Sequence, residues 1–392
     1  MTGRAFHETY IDLRESWTSP FVRWQGELQS VNSLDLAAIV TARALEHRAI
    51  DPADFDEVIL GWTVPQRQGF YGAPTLAARI GAPTTSGPMI SQACATSVAC
   101  LVAAGANNES RAALVVTTDR TSNGPLLIYP QPSATGGAPE QETWVLDNFA
   151  RDPWGGSSMA EAADAVAHEE AISREEIDDV TILRHEQYAL ALDDDRAFHR
   201  RYMVEAAFTD RRGDHRVSAD AGIYALDPGR TRALVASVDG GVVTRDTQTH
   251  PADGCAGVVV RHGVPSRGPT IRILAAGFSR VQRARMPRAV VPAALCALSA
   301  AALNIQDMNQ VNTHNPFAVS DAYFSRETGF SSEAMNCFGS PLVYGHPQAP
   351  TGMRAVIELA HSLAQRGGGL GLFTGCAAGD TAGALVIEVT GS

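Results

Sequence analysis

The chain has 392 residues and a formal net charge of −12, and 45% of its residues are hydrophobic. This length exceeds what one compact core usually holds, so we expect two domains or two fused, similar halves. The acidic balance argues against nucleic acid as a partner, and no apolar run approaches the ~20 residues that span a bilayer, so we expect no membrane contact.

Apolar strands and helical stretches alternate along the chain, which is the α/β pattern. In the first half we predict strands at 56–62, 113–119 and 255–261, and helices at 73–80 and 94–106. In the second half we predict strands at 271–278 and 309–313 and in the segments GLGLFTGC and GALVIEV, and helices at 290–303 and 351–366. The same order of elements occurs twice. Because the strands are apolar on both faces, we expect two buried sheets with helices between and outside them.

We divide the chain into three parts. Residues 1–119 and 250–265 form an N-terminal half, and residues 266–392 form a C-terminal half. Residues 120–249 do not fit the repeat, and we interpret them as an inserted loop region over the active site, with helices at 159–168 and 178–201. Such insertions often supply substrate contacts. A surface excursion without a binding role is the alternative.

All basic residues are arginine, so Schiff-base and lysine-base chemistry is excluded, and a phosphate would be bound by Arg or His. Six cysteines are scattered through the chain and do not suggest a disulfide framework. The N-terminal segment lacks an apolar signal core with a basic flank. We therefore expect a cytoplasmic protein.

Cys94 lies at the start of a predicted helix in the segment SQACATSVACLVAAGA. We expect a helix N-terminus to lower the pKa of this thiol and to favour the nucleophilic thiolate. Small neighbouring residues leave room for a substrate. A buried, unreactive cysteine is the alternative for Cys94, and it is our interpretation of Cys100.

Further polar residues lie at the ends of other predicted elements. His314 and Asn315 follow one strand, His346 lies in a Gly-His-Pro loop before a helix, and Cys376 ends a buried strand. Each taken alone has a structural interpretation. Acyl transfer with carbon–carbon bond formation needs a nucleophile, a base for it, a second base, and donors for two oxyanions. Together with Cys94, these residues can supply that set.

These segments resemble the thiolase family over nearly the whole chain, from SWTSPFVRWQGEL at the N-terminal strand to GCAAGD near the C-terminus. QACATS resembles the segment of the acylated cysteine, which implies that Cys94 is the nucleophile. The Gly-His-Pro and GCAAGD segments imply His346 as a catalytic histidine and Cys376 as the second catalytic cysteine. The implied fold is α/β, a duplicated five-layer αβαβα arrangement with an inserted loop region.

The same resemblance implies substrate contacts. MAEAAD places Met159 near the acyl pocket, and THPADGCAG makes Thr249 a contact to the pantetheine arm of coenzyme A. In the last loop, Ala378 replaces a family glycine, and its backbone N–H is implied as an oxyanion donor together with that of Cys94.

The third family motif departs from the common thiolases. His-Asn-Pro-Phe at 314–317 replaces Asn-Glu-Ala-Phe and resembles the His-Asp-x-Phe form of sterol-carrier-type thiolases. His314 is therefore implied as a catalytic oxyanion donor, and Asn315 and Phe317 as substrate-binding residues.

The resemblance implies an acyl-CoA C-acyltransferase that cleaves a 3-ketoacyl-CoA with coenzyme A, or condenses two acyl-CoAs, through an acyl-cysteine. It implies coenzyme A as a substrate, no permanently bound cofactor, no metal, and a homodimer or homotetramer. We further hypothesise that Tyr129, Trp144, Phe149 and Trp154 line a pocket for a bulky acyl group, with a core role as the alternative.

Two other functions stay open. A decarboxylating condensing enzyme of the ketoacyl synthase kind would use His314 beside His346 but would not need Cys376, which favours thiolase chemistry. A subunit active only with a small zinc-ribbon and OB-fold partner is the second, since some sterol-carrier-type relatives act in this way.

Overall fold

The computed structural model describes residues 2–107, 109–263 and 268–391. The strands are β1 (Thr2–Ala5), β2 (Thr9–Asp12), β3 (Ser16–Thr18), β4 (Val22–Arg23), β5 (Glu57–Gly61), β6 (Met89–Ile90), β7 (Ala112–Arg120), β8 (Leu126–Tyr129), β9 (Glu140–Thr143), β10 (Ala206–Asp210), β11 (Gly213–Val217), β12 (Ala252–His262), β13 (Thr270–Arg280), β14 (Gln310–His314), β15 (Gly368–Ala377) and β16 (Thr381–Thr390). The helices are α1 (Ser33–Arg48), α2 (Gly72–Arg79), α3 (Thr96–Ala106), α4 (Leu146–Ala150), α5 (Met159–Glu169), α6 (Arg174–Arg196), α7 (Pro228–Ala233), α8 (Val290–Ala300), α9 (Ala318–Thr328), α10 (Pro341–Tyr344) and α11 (Ala349–Gln365).

One hydrogen-bonded path connects the central strands in the order β14-β15-β16-β13-β2-β12-β7-β5-β6, with β1 beside β13 and with β3 and β4 beside β12. β2 pairs with β12 and with β13, so the two predicted sheets are joined at this strand. The boundary predicted at 265/266 falls outside the described residues, and the division into three parts stays a prediction.

The two halves repeat one arrangement, as predicted. β5 and β7 are parallel and α3 connects them, just as α11 connects the parallel strands β14 and β15. In each half the second of these strands then pairs antiparallel with a later one, β7 with β12 and β15 with β16. Helices α1 and α8 occupy equivalent places, each before the first strand of its parallel pair. The structure therefore confirms the predicted duplication.

Three apolar clusters define the layers. Between the halves, Val98 of α3 and Met353 of α11 pack in one cluster with side chains of both groups of strands. Leu34 of α1 belongs to a second cluster outside β5 and β7, and Leu298 of α8 belongs to a third outside β15 and β16. The layers are thus helix, sheet, helix, sheet, helix. The α11 helix lies in the central layer, and for this reason every residue from Ala349 to Leu363 is buried.

Strand β5 shows why the apolar runs are continuous. Val58 and Leu60 point to the cluster around α1, whereas Ile59 points to the central cluster. Successive side chains of a strand face opposite sides, so a strand covered on both faces needs apolar residues at every position.

Several elements differ from the predictions. Helix α1 was not predicted, because its buried residues include Ser33 and Thr41 and its polar–apolar periodicity is weak. The helix predicted at 178–201 begins earlier, where Ser173 and Glu176 form a capping box. Its regular part ends before Asp193, because the backbone angles of Asp193, Asp194 and Asp195 are not helical. The inserted region also contains two hairpins, β8–β9 and β10–β11.

Candidate active site

Cys94 lies in a tight turn between β6 and α3. Its neighbour Ala93 has a φ of +45°, in a region that residues other than glycine seldom adopt. The hydroxyl of Thr96, the first residue of α3, accepts the N–H of Gln92 at 2.8 Å. The turn leaves Cys94 partly exposed ahead of the buried helix.

His346 approaches this sulfur from the start of the other central helix. The distance from Cys94 Sγ to His346 Nε2 is 3.1 Å, although 252 residues separate them in sequence. Gly345 has a φ of +92°, and a Cβ there would lie 2.5 Å from His250 Cε1, so the turn requires glycine. The backbone N–H of His346 donates to the carbonyl of His250 at 2.9 Å. The backbone therefore holds the imidazole in place.

Thr351 is the partner of the other imidazole nitrogen. Its hydroxyl lies 2.7 Å from His346 Nδ1 and is fully buried. A hydroxyl can accept a proton from Nδ1 or donate one to it. In the first case Nε2 is free to accept the thiol proton, and in the second Nε2 carries a proton that it can donate. Thr351 is therefore compatible with both tautomers of His346.

His314 is a buried histidine whose ring nitrogens have no hydrogen-bond partner among the described residues. Its ring centroid lies 4.1 Å from that of His346, and a nitrogen of each ring and the Cys94 sulfur lie within 4.8 Å of one another. A neutral imidazole always has one N–H, so His314 can donate to a bound group at this point. The same three atoms are close enough to bind one metal ion, so the expectation of no metal stays a prediction.

A buried hydrogen-bond network around Asp321 fixes the end of β14. The Asp321 carboxylate accepts hydrogen bonds from Arg184 Nε at 2.8 Å, from Thr313 Oγ1 at 2.6 Å and from Asn315 Nδ2 at 2.7 Å. Asn315 Oδ1 in turn accepts the N–H of Leu342 at 3.3 Å. The side chain of Asn315 is thus hydrogen-bonded through both its oxygen and its nitrogen inside the protein, and it is not among the residues that line the cavity. Its assignment to substrate binding stays a prediction, and the described contacts place this side chain in the buried network.

Cys376 and Ala378 lie where β15 ends. The Cys376 sulfur is buried, 4.0 Å from Ser320 Oγ, and it is near enough to Cys94 for a charge there to raise its pKa. Ala378 lines the same cavity as Cys94, and its backbone N–H acts to lower the pKa of that thiol. Asp152 fixes this turn by accepting the N–H of Gly379 at 2.9 Å.

Burial keeps the central groups neutral. It raises the pKa of the Cys94 thiol to about 12, although the N–H groups of Ala378 and of Cys94 itself act in the opposite direction. Burial, with His314 nearby, lowers the pKa of His346 well below its usual value, and burial lowers that of His314 to about 3. The expected lowering of the Cys94 pKa is wrong, because desolvation by distant segments outweighs the local effect of the helix N-terminus.

Asp119 is a site residue that the sequence pattern did not reveal. Its carboxylate accepts the backbone N–H groups of Thr63, Val64 and Ala349 at 2.8–2.9 Å. Burial raises its pKa to about 7 against these hydrogen bonds. The residue ties the end of β5 to the start of α11. Its position at the end of an apolar strand was the available signal.

Gln348 is a second residue that sequence analysis missed. Its backbone has φ 69° and ψ −103°, a strained combination for a residue with a side chain. Its Oε1 atom lies 3.7 Å from Cys94 Sγ. The adjacent Gly-His-Pro motif marks a tight turn, but no local pattern indicates that this side chain points to the nucleophile.

A cavity of about 470 Å³ opens onto Cys94 and His346. Met159, Thr249, Phe317 and Ala378 all line it, and their proposed roles in binding stay predictions. The hypothesis that four aromatic residues line a pocket for a bulky acyl group fits the positions of two of them. Trp144 and Phe149 line the cavity, whereas Tyr129 and Trp154 are exposed and do not. None of the described helices has the length and apolar character of a membrane span.

Known proteins resemble the chain over almost its full length. The family model "Thiolase, N-terminal domain" matches residues 15–263 and "Thiolase, C-terminal domain" matches residues 268–389. The acetyl-CoA acetyltransferase of Escherichia coli is 27% identical over 93% of this chain and 95% of that protein. The 3-ketoacyl-CoA thiolase of Erwinia tasmaniensis is 26% identical over 97% of this chain and 96% of that protein.

Solved structures show the same fold. The Bacillus anthracis acetyl-CoA acetyltransferase has a TM-score of 0.89 at 23% identity, over 98% of this chain and 100% of that chain. Human mitochondrial 3-ketoacyl-CoA thiolase in complex with CoA has a TM-score of 0.89 at 22% identity, over 99% of both chains. These matches confirm the predicted α/β fold and do not support either of the two alternative functions.

Proposed function

The chain belongs to the thiolase family, and we propose that it is an acyl-CoA C-acyltransferase that exchanges acyl groups between coenzyme A and a 3-ketoacyl-CoA through an acyl-Cys94 intermediate. The observation that carries the proposal is the 3.1 Å approach of His346 Nε2 to Cys94 Sγ at the meeting point of α3 and α11. The names of the relatives, acetyl-CoA acetyltransferase and 3-ketoacyl-CoA thiolase, support the same chemistry.

In the cleavage direction, the Cys94 sulfur attacks the 3-keto carbon while its proton passes to His346 Nε2. Because burial raises the pKa of the thiol and lowers that of the imidazole, a resting ion pair is disfavoured, and proton transfer accompanies attack. The new alkoxide is stabilised by the backbone N–H groups of Cys94 and Ala378. Collapse of the alkoxide breaks the bond between the second and third carbons and leaves the acyl group on Cys94.

The leaving fragment is the enolate of acetyl-CoA. Its oxygen accepts hydrogen bonds from His314 and from the protonated Nε2 of His346, while Cys376 protonates its carbon. The thiol of coenzyme A then attacks the acyl-enzyme and gives its proton to the Cys376 thiolate. The leaving Cys94 sulfur takes back the proton from His346, and all three groups are neutral again. In the condensation direction the same steps reverse, with Cys376 removing the α-proton of the second thioester.

Three cysteine variants test these assignments by intact mass after mixing with a 3-ketoacyl-CoA. Cys94→Ala should give no acyl-enzyme. Cys376→Ala should be acylated slowly by a simple acyl-CoA but should neither cleave nor form carbon–carbon bonds. Cys337→Ala, which changes a cysteine outside the cavity, is the matched control. If Cys94→Ala exchanged acyl groups at the normal rate, the proposal would be refuted.

We also propose that the enzyme is cytoplasmic and at least a dimer. All six cysteines are free, which supports a reducing compartment. Strand β6 ends the strand order, and Phe70, Tyr71 and Met89 expose apolar surface beside it, which supports an interface there. Light scattering coupled to gel filtration tests the assembly, and a monomeric mass would refute this part.

A further inference from the structure

The wall of the active-site cavity carries large apolar side chains that the bond-making steps of the reaction do not need. Five of the residues that line it contribute aromatic or methionine side chains, and we call them the acyl chamber: Trp144, Phe149, Met159, Met286 and Phe317. They come from four separate segments: the inserted region around α4, the start of α5, the turn before α8 and the turn before α9. The whole cavity, which also includes Thr249 on the expected pantetheine side, measures about 470 Å³, within the size range of sites that enclose a small ligand.

Hydrogen bonds connect Trp144 of the acyl chamber to the turn that carries the catalytic groups. The indole N–H of Trp144 donates to the carbonyl of Thr63 at 2.9 Å. The backbone N–H of Thr63 donates to Asp119, which also binds the N–H of Ala349. Ala349 directly follows Gln348, whose side chain lies 3.7 Å from the Cys94 sulfur. Hydrogen bonds therefore hold the Trp144 side chain to the same framework that holds the catalytic turn.

The described wall of the cavity also offers no arginine or lysine to a charged acyl group, and the sequence contains no lysine at all. Asp152 uses both carboxylate oxygens on backbone N–H groups, including that of Gly379. Glu142 accepts hydrogen bonds from Tyr129 and Asn148. A carboxylate on the acyl chain would thus be desolvated without a counter-ion, which is costly.

We propose that the acyl group carried by Cys94 is neutral, apolar and bulkier than acetyl, and that the acyl chamber receives it. This inference rests on the proposed function and specifies its substrate class. Each additional buried methylene stabilises the bound acyl group, which corresponds to about fourfold in kcat/KM per methylene until the chamber is full. An aryl group of similar volume would pack equally well against the acyl chamber.

Thiolysis kinetics with a set of 3-ketoacyl-CoAs tests the proposal. The set comprises acetoacetyl-CoA, 3-ketohexanoyl-CoA, 3-ketooctanoyl-CoA, 3-keto-3-phenylpropanoyl-CoA and 3-ketoadipoyl-CoA, whose chain ends in a carboxylate. We expect kcat/KM to rise along the linear series, or to be highest for the phenyl compound. We expect 3-ketoadipoyl-CoA to fall at least roughly 100-fold below 3-ketohexanoyl-CoA. Highest activity with acetoacetyl-CoA, or with the carboxylate substrate, would overturn the inference.

Two variants assign the effect to the acyl chamber. Phe149→Ala should lower kcat/KM for 3-ketooctanoyl-CoA by roughly 10-fold or more and should change that for acetoacetyl-CoA by less than about twofold. Trp154→Ala is the matched control, because Trp154 is a nearby aromatic residue that is 51% exposed and does not line the cavity. An equal loss for both substrates in Phe149→Ala overturns the inference while leaving the proposed reaction intact. Failure to cleave any substrate, without acylation of Cys94, would instead refute the proposed function and this inference with it.

Discussion

Replacing Thr351 with valine removes the only described hydrogen-bond partner of His346 Nδ1 with little change in volume. Thr351 is fully buried, so water cannot take the place of the hydroxyl. Leaving a buried polar atom without a partner costs about 1–3 kcal/mol. If the transition state bears that cost, kcat falls roughly 5- to 150-fold. Because Thr351 does not line the cavity, we expect KM to change little.

The assay compares steady-state kcat with the rate at which iodoacetamide alkylates Cys94 at neutral pH. Both should fall in Thr351→Val, since the tautomer of His346 with a protonated Nδ1, in which Nε2 can accept the thiol proton, loses its buried hydrogen-bond acceptor. Thr351→Ser keeps the hydroxyl and should restore most of both rates. Thr41→Val is the control, because the buried Thr41 hydroxyl has no hydrogen-bond partner among the described residues. A normal kcat in Thr351→Val, or an equally slow Thr351→Ser, would refute the assigned role.

Three further predictions follow from buried groups. His314→Ala should slow carbon–carbon cleavage roughly 10²- to 10³-fold by removing an oxyanion donor, whereas alkylation of the nucleophilic thiol should be unchanged; equal losses in both would contradict the assignment. Gly345→Ala places a Cβ against His250 at a φ of +92° and should lower the free energy of unfolding by about 1–3 kcal/mol, measured by denaturant titration. Gly329→Ala, at φ +69° with open space around it, should cost less. Burial lowers the pKa of His199 from 6.5 to about 4, so the unfolded chain binds a proton that the fold excludes, and stability should fall by up to roughly 3 kcal/mol as the pH drops from 6.5 to 4; an unchanged slope in His199→Gln would contradict this.

The sequence predicts much of the fold because the relevant patterns are local. Continuous apolar runs such as β5 reflect burial on both faces, and the repeated order of elements indicates two similar halves. Helix α1 was missed because small polar residues, Ser33 and Thr41, replace apolar ones on its buried face. The joining of the two predicted sheets was also missed, because it depends on β2, a strand of four residues that pairs with partners far along the chain.

The candidate site, like the fold, could be predicted from the sequence only in part. The order of Cys94, His314, His346 and Cys376, each at the end of a strand or the start of a helix, is visible in the sequence and indicates acyl-transfer chemistry. The contacts that orient these side chains and shift their pKa values cannot be read from the sequence. Asp119 and Ala349 are 230 residues apart, and the side chain of Asn315 turns inward because Asp321 and Leu342 lie beneath it.

The sequence by itself therefore predicted the duplicated architecture and placed the candidate site residues at the ends of strands or the starts of helices, because strand burial and turn geometry depend on neighbouring residues. Only the tertiary structure decided their electrostatic state and the shape of the cavity. The helix N-terminus predicted a lowered pKa for Cys94, yet segments from both halves desolvate the thiol and raise its pKa to about 12. Desolvation depends on everything that surrounds a group, and that becomes definite only when distant parts of the chain pack together.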